Sequence, residues 1–323
     1  MHYKVSVIVT VYNAREYLPR CIESLMRQTL REIEYIFVED CSTDGSYEVL
    51  LEVLSGFPER KDDVKIVRHE TNRGVSISRT DGLDNATADY VIYCDSDDWV
   101  DIQMYEKMYR KATSESADLC LADFYFVGDK GLIRDGLGFE GDPSKEEIVK
   151  LCCLRHPYTT VWSLMATREL YNRSGARPPE NISFTEDFYM AACLYTCARK
   201  IVCVREPLYY YNILNASSIV HTLTEKHSMQ ETECYSLCIA RMKEMGIHET
   251  YRKEMEWRML KSCAWLVFQD RFEEFRKYFP KFQMCMLTVP HAFCYKKVKL
   301  MILLAAFHLD FICRWDNRRH GRC

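Results

Sequence analysis

After its first apolar run the 323-residue chain lacks the two glycine signatures that most often announce a nucleotide fold. No GxGxxG follows the first apolar run and no GxxxxGK[ST] occurs, so neither a dinucleotide loop nor a P-loop is indicated. No CxxC occurs either, although there are 16 cysteines. They are scattered, and Cys193/Cys197 and Cys234/Cys238 stand at helical i, i+4 spacing. Secreted disulfide scaffolds are usually short, so these cysteines read as reduced, small core residues. An excess of one charge is missing too: the net charge is -4, which gives no support to wholesale nucleic-acid binding. The start, MHYKVSVIVTVYN, runs straight into a strand pattern with no signal peptide, which points to the cytoplasm. On that reading the Asn-x-Ser/Thr matches at Asn85, Asn172, Asn181 and Asn215 are chance. There is no internal repeat, no low-complexity tract and no uninterrupted apolar run of about 20 residues that would span a bilayer.

What is present is a core. Hydrophobic residues make up 48% and aromatics 13%, the composition of a folded globular chain. Its length suits one large domain or two modest ones. Val5 to Val11 is a β-branched run typical of a strand buried on both faces. Asn13 is placed to cap a following helix with Tyr17, Leu18, Cys21, Ile22, Leu25 and Met26 in period. Strands are then expected over 33–38, 64–67 and 90–94, separated by helices through Val49–Leu54 and Ile77–Ala86. This alternation predicts an α/β fold, a doubly wound, mainly parallel sheet with helices on both faces. Ligands of such sheets bind beyond the carboxyl ends of the strands. There the chain places Thr10 and Tyr12, Glu39 and Asp40, Asn72 to Gly74, and Asp95 to Asp98, with Arg73 and Arg79 nearby. Acids beside arginines suit a metal-bound diphosphate.

The run YVIYCDSDDWV (90–100) concentrates this chemistry. Residues i and i+2 leaving a strand point the same way, so Asp95 and Asp97 can share one target. Two carboxylates so close repel unless a cation lies between them, and oxygen ligands suit a hard divalent ion. A charged turn with Asp98 or Asp101 as helix N-cap fits the same residues.

Beyond Trp99 the pattern predicts a helix, a strand over 119–127, a hairpin turn at 128–131 and a helix opening at Asp142-Pro143. A short strand carrying Trp162 follows, then Ser183-Phe184-Thr185-Glu186-Asp187 before an apolar helix (188–198). Short strands are expected at 201–204 and 208–211, and mostly helix from His227 onward. The most apolar stretch, 298–313, is broken by His308 and Asp310 and flanked by Lys296, Lys297, Lys299 and Arg314, Arg318, Arg319, Arg322. It fits an interfacial helix on an anionic cytoplasmic leaflet, or a terminal helix packed on protein.

By Asp187 the series SVIVTVYNAREYLPRCIESLMRQT, YIFVEDCSTDGS, HETNRGVSISR, YVIYCDSDDW and FTEDFYM resembles the family 2 glycosyltransferases that build bacterial surface polysaccharides. The matching stretch runs roughly from residue 4 to 215. The resemblance implies a GT-A domain over 1–215, its nucleotide-binding half about 1–110 and its acceptor half about 111–215, with 216–323 as a C-terminal helical region. It implies a nucleotide-diphosphate sugar donor (a UDP-sugar), Mg2+ or Mn2+, and a glycan or lipid-linked acceptor with inversion at the anomeric carbon. Carried over by position, Thr10 and Tyr12 line the base pocket, Asp40 bonds the base, and Asn72 and Arg79 reach base and diphosphate. Asp95 holds ribose or sugar, Asp97 the metal, and Asp187 is the catalytic base. Trp162 and Glu186 fall on the acceptor side, and His221 is a candidate diphosphate contact from a closing loop. Glu39 stands where relatives carry Asp, Cys41 where they often carry Gly, and Leu164 where many carry Lys.

The chemistry asks for these groups. A sugar hydroxyl is a poor nucleophile, so a carboxylate must take its proton as the new C–O bond forms. Asp187 would equally suit the positive end of a helix. Trp162 suits the core better than an acceptor platform. Two rival readings remain: a sugar-1-phosphate nucleotidyltransferase, for which a Gly-rich basic N-terminal loop is missing, and a non-catalytic nucleotide-binding scaffold. Intact Asp95, Asp97 and Asp187 argue against the scaffold.

Overall fold

A computed structural model describes residues 2–135, 141–154, 159–215, 224–278 and 296–319. The chain divides into two compact units, Met1–Thr222 and Leu223–Cys323.

The first unit is built on one sheet. Its strands are β1 (Val5–Val11), β2 (Ile33–Glu39), β3 (Val64–Arg68), β4 (Tyr90–Asp95), β5 (Trp99–Val100), β6 (Leu119–Gly128), β7 (Gly131–Asp135), β8 (Leu164–Thr167) and β9 (Ile201–Asn212). Its helices are α1 (Leu18–Met26), α2 (Ser46–Ser55), α3 (Val75–Asp84), α4 (Met104–Ser114), α5 (Lys145–Leu154), α6 (Arg168–Ser174) and α7 (Glu186–Cys197). The strand order is β3-β2-β1-β4-β8-β6-β9-β5, with β7 on β6. The first four strands pair in parallel. Beyond β4 the sheet is mixed: β8 runs antiparallel to both β4 and β6, while β6 and β9 are parallel. Parallel pairing, as expected, forms the longer ladders: it is unbroken through the first half and returns between β6 and β9.

Burial follows the β-branched runs. Every residue of β2 is buried, and β1 exposes only Thr10 in part. Alternate β1 residues Val5, Val7, Val9 and Val11 share one core with Leu18, Ile22 and Leu25 of α1 and Met104, Tyr105 and Met108 of α4. The other face meets α3, which comes so close that a Cβ on Gly82 would lie 2.3 Å from Ile8 Cγ2. Residues 201–212, expected as two short strands, form one. Its Arg205-Glu206-Pro207 interruption is absorbed by register irregularities opposite Ala122–Phe124, where a proline costs no ladder bond. Asn13 does not cap α1. The helix begins five residues later, and the Asn13 side chain instead accepts from the Thr43 amide at 2.9 Å.

The second unit is helical: α8 (Glu225–Glu244), α9 (His248–Phe268), α10 (Phe272–Tyr278), α11 (Lys296–Ala306) and α12 (Asp310–Arg319). Arg258 Nε donates to the buried Tyr235 hydroxyl at 2.7 Å, tying α9 to α8. Asn317 Nδ2 donates to the Val267 carbonyl at 2.9 Å, tying α12 to α9. The apolar stretch 298–313 is two helices, broken where His308 takes a left-handed φ of 59°. No helix among the described residues is long and apolar enough to cross a membrane.

Candidate active site

In the order β2-β1-β4 the chain leaves β1 toward one side and returns on the other, so the switch point lies between β1 and β4. Register puts Thr10 beside Asp95 at that point. A cleft of about 470 Å³ opens there. It collects Thr10 from β1 and Tyr12 just after it, Asp40 after β2, Asn72 and Gly74 after β3, Arg79 from α3, Asp95 at the end of β4 and Asp97 after it, and Glu186 from α7. Eight expected donor and acceptor residues thus meet in one hollow, with Ser183 and Asn215 added to its lining.

Arg79 is the buried cation of this cleft, 6% exposed. It pairs with Glu186 and, at 3.2 Å, with Asp95 Oδ1. Burial pulls its pKa down, but Glu186 and then Asp95 outweigh burial and raise it, so the guanidinium stays charged. Its Nε is buried with no hydrogen-bond partner among the described residues. Glu186, 5% exposed, shows the opposite balance. Burial pushes its carboxyl up to about 7, Arg79 restrains the shift, and the neighbouring Asp187 adds to it.

Asp40 has a task besides the one its position suggested. Its Oδ1 accepts the Arg73 amide and its Oδ2 the Gly74 amide, both at 2.8 Å. His69 Nδ1 lies 2.7 Å from Oδ1, and His69 Nε2 lies 3.0 Å from Asp81. Asp81 in turn accepts from Arg73 Nη1 at 2.7 Å. Asp40 thus shapes the 72–74 loop, and Oδ2, with one donor among the described residues, keeps acceptor capacity toward the cleft it lines. His69, not singled out in the sequence, completes the arrangement.

The three acids after β4 separate. Asp98 is no helix cap: it is 1% exposed and accepts from the Tyr209 hydroxyl at 2.6 Å and the Asn212 amide at 2.7 Å. Burial, then Asp97 and Asp95, raises its pKa. Asp97 Oδ2 accepts from Asn215 Nδ2 at 2.7 Å, and its pKa is raised by burial and by Asp95. Tyr209, Asn212 and Asn215, more than 110 residues downstream, are thus the fastening of the DSDD turn.

Asp187 lies in the first turn of α7, half-buried, and is not among the cleft-lining residues. Its charge nevertheless acts on Arg79 and on Tyr211, so it is within electrostatic reach of the cleft. The residue before the Glu186-Asp187 pair, Thr185, holds a φ of 65°. A β-branched residue in the left-handed region is strained, and such strain gathers at functional sites. Cys41 and Asn13, beside the same cleft, hold φ values of 59° and 49°.

Trp162 leaves the site altogether. It is 3% exposed, stacked on Tyr209 at 4.2 Å and on Tyr211 at 5.5 Å, with Phe124 edge-on at 4.8 Å. With its faces covered it offers no acceptor platform, and it supports β9 from within the core. His221 lies outside the described residues.

The sequence profile of Glycosyl transferase family 2 matches residues 6–165. EpsH of Bacillus subtilis is 30% identical over 258 residues, covering 78% of this chain and 73% of EpsH. The chain belongs to glycosyl transferase family 2. Another relative, glycosyltransferase GlyA of Streptococcus pneumoniae, is 30% identical over 75% of this chain, which spans only 35% of GlyA. Among solved structures, S. aureus TarS 1-349 in complex with UDP-GlcNAc superposes with a TM-score of 0.72 at 19% identity, over 98% of this chain and 89% of that one. The mannosyltransferase PcManGT of Pyrobaculum calidifontis, in complex with GDP-Man and Mn2+, gives 0.56 at 13% identity, over 98% of this chain and 87% of that one. Such likeness establishes the shared fold, the GT-A type of α/β arrangement expected for the family.

Proposed function

We propose that this family 2 member transfers a sugar from a nucleotide-diphosphate donor, a UDP-sugar, to a hydroxyl of a glycan or lipid-linked acceptor, with inversion. The observation that carries the reading is the cleft at the β1/β4 switch point. There a buried arginine pairs with Glu186 and Asp95 among a set of carboxylates, beside a loop whose backbone is fixed by Asp40. An anionic diphosphate answers the arginine, and the carboxylates answer the sugar hydroxyls and a cation. The fold neighbour that holds UDP-GlcNAc supports a uridine donor.

Thr10 and Tyr12 would line the base, with Asn72 at the loop beside it. Arg79, which lines the cleft, would attract the diphosphate while Glu186 and Asp95 keep it charged. Asp95 would also receive a hydroxyl of ribose or sugar. Asp187 would take the proton from the acceptor hydroxyl as the C–O bond forms, and a single base opposite the leaving group implies inversion.

A divalent ion fits the residues present. Among the described residues no group of three or more His, Cys, Asp or Glu could hold one alone. Mg2+ and Mn2+ bound with phosphates need only one or two protein carboxylates. Asp97 lines the cleft, and added positive charge would offset the burial and the charge of Asp95 that raise its pKa. When bound, the ion would offset the charge that develops on the departing diphosphate. Release of nucleoside diphosphate, assayed with Mn2+, with Mg2+ and with chelator, tests this. Asp97→Ala should lose the metal response, and undiminished release in chelator would remove the metal from the account.

The rival nucleotidyltransferase is not favoured by any feature of the cleft. The proposed place of action is the cytoplasmic face of a membrane, where a lipid-linked acceptor would be presented.

A further inference from the structure

The helical pair at the end of the second unit is two-faced in an unusual way. On α11, Met301, Ile302 and Ala305 point inward and are at most 3% exposed, while Leu300 is 55% exposed. On α12, Cys313 and Asn317 are buried, while Phe311 and Trp315, one turn apart, are 69% and 62% exposed. Phe307 (59%) and Leu309 (38%) stand at the bend between the helices. An ordinary surface helix shows water its polar face. Here both helices bury one apolar side and present another to solvent.

The pair itself carries an excess of bases, while Asp270 and the α10 residues Glu273 and Glu274 stand near Asp310 and Arg314. Residues 296–319 carry six bases (Lys296, Lys297, Lys299, Arg314, Arg318 and Arg319) and two acids, Asp310 and Asp316. Both acids are engaged by bases: Asp310 by Arg276 at 2.8 Å, Asp316 by Lys297 at 3.0 Å. Arg319 lies over the exposed Trp315 ring, its carbon 5.4 Å from the centroid. Each helix has only 11 or 10 residues, about 15 Å of length, so the pair can lie on a bilayer and cannot cross it.

We infer that the exposed apolar side chains of the α11–α12 pair dock on an anionic lipid surface, with Leu300, Leu309, Phe311 and Trp315 entering the acyl boundary and Lys296, Arg314, Arg318 and Arg319 meeting the headgroups. This rests on the reading that the acceptor is membrane-presented, and it names the partner surface and the residues that meet it. Apolar burial and attraction to acidic headgroups act together in such an interface, and tryptophan favours its depth. A second copy of the chain is the poorer occupant, because a two-fold contact would set the same bases against each other.

Co-sedimentation of the full-length chain with vesicles tests the inference. Wild type should bind vesicles of phosphatidylcholine containing about one-third phosphatidylglycerol, bind phosphatidylcholine alone weakly, and be released by salt. Phe311→Glu/Trp315→Glu should lower the bound fraction about tenfold, without shifting the melting temperature, since both side chains are exposed. Equal binding by wild type and variant, no preference for the anionic vesicles, or a solution dimer that the double variant converts to monomer would each overturn it. Release of nucleoside diphosphate in vesicle-free buffer is read separately, so failure of the lipid surface and failure of the transferase reading are distinguishable.

Discussion

Glu186 and Asp187 are consecutive acids with divided surroundings: one is sealed against Arg79, the other half-open at a helix start. The division has a pH signature. Glu186 ordinarily titrates at 4.5 and is raised to about 7 by burial. Between those values the folded chain holds a proton that the unfolded chain has lost. Its contribution to stability is therefore fully present below about pH 4.5 and is lost as pH rises toward about 7. Melting temperatures of Glu186→Gln across that window should show a flatter profile than wild type; an unchanged slope would mean another group carries it. Asp98 teaches a related lesson. As sequence it fits a helix cap; in the fold it is the anchor of β9, because Tyr209 and Asn212 reach it from far along the chain. No local pattern encodes a partner at that distance. Asp40 was legible as a strand-end acid, yet its task was hidden for the same reason: its donors are backbone amides 33 and 34 residues on.

At the scale of elements, β1, β2 and β4 were readable because apolar runs buried on both faces have few alternatives, whereas the edge strand β3 is only half-buried. The mixed second half was less so, since β8 and β5 are too short for a period to show. Close approach and backbone sign were also beyond the pattern, and each makes a prediction. Gly82→Ala must push a methyl into Ile8 across the α3–β1 contact. It should destabilise by about 1–3 kcal/mol in denaturant unfolding, whereas a neutral result would show that α3 can move away. Cys41, where relatives often carry glycine, sits at φ 59°. The left-handed penalty of about 1–2 kcal/mol exceeds the chain entropy glycine costs, about 0.5–1 kcal/mol. Cys41→Gly should accordingly be neutral to stabilising, by up to about 1 kcal/mol, and a lower melting point would contradict the strain argument.

For the whole molecule, one unit supplies a family 2 fold with its polar residues drawn to a single crevice, and the other supplies a helical unit whose last two helices expose apolar side chains beside an excess of bases. The transferase reading depends most on Asp187, which motif position assigned and which the cleft approaches without enclosing. The direct test is turnover of a UDP-sugar, followed as release of UDP, in wild type and Asp187→Ala, with UDP affinity measured alongside. The account predicts turnover lower by about 10²-fold or more with UDP affinity unchanged. Equal turnover in the two proteins would contradict it and remove Asp187 as the base.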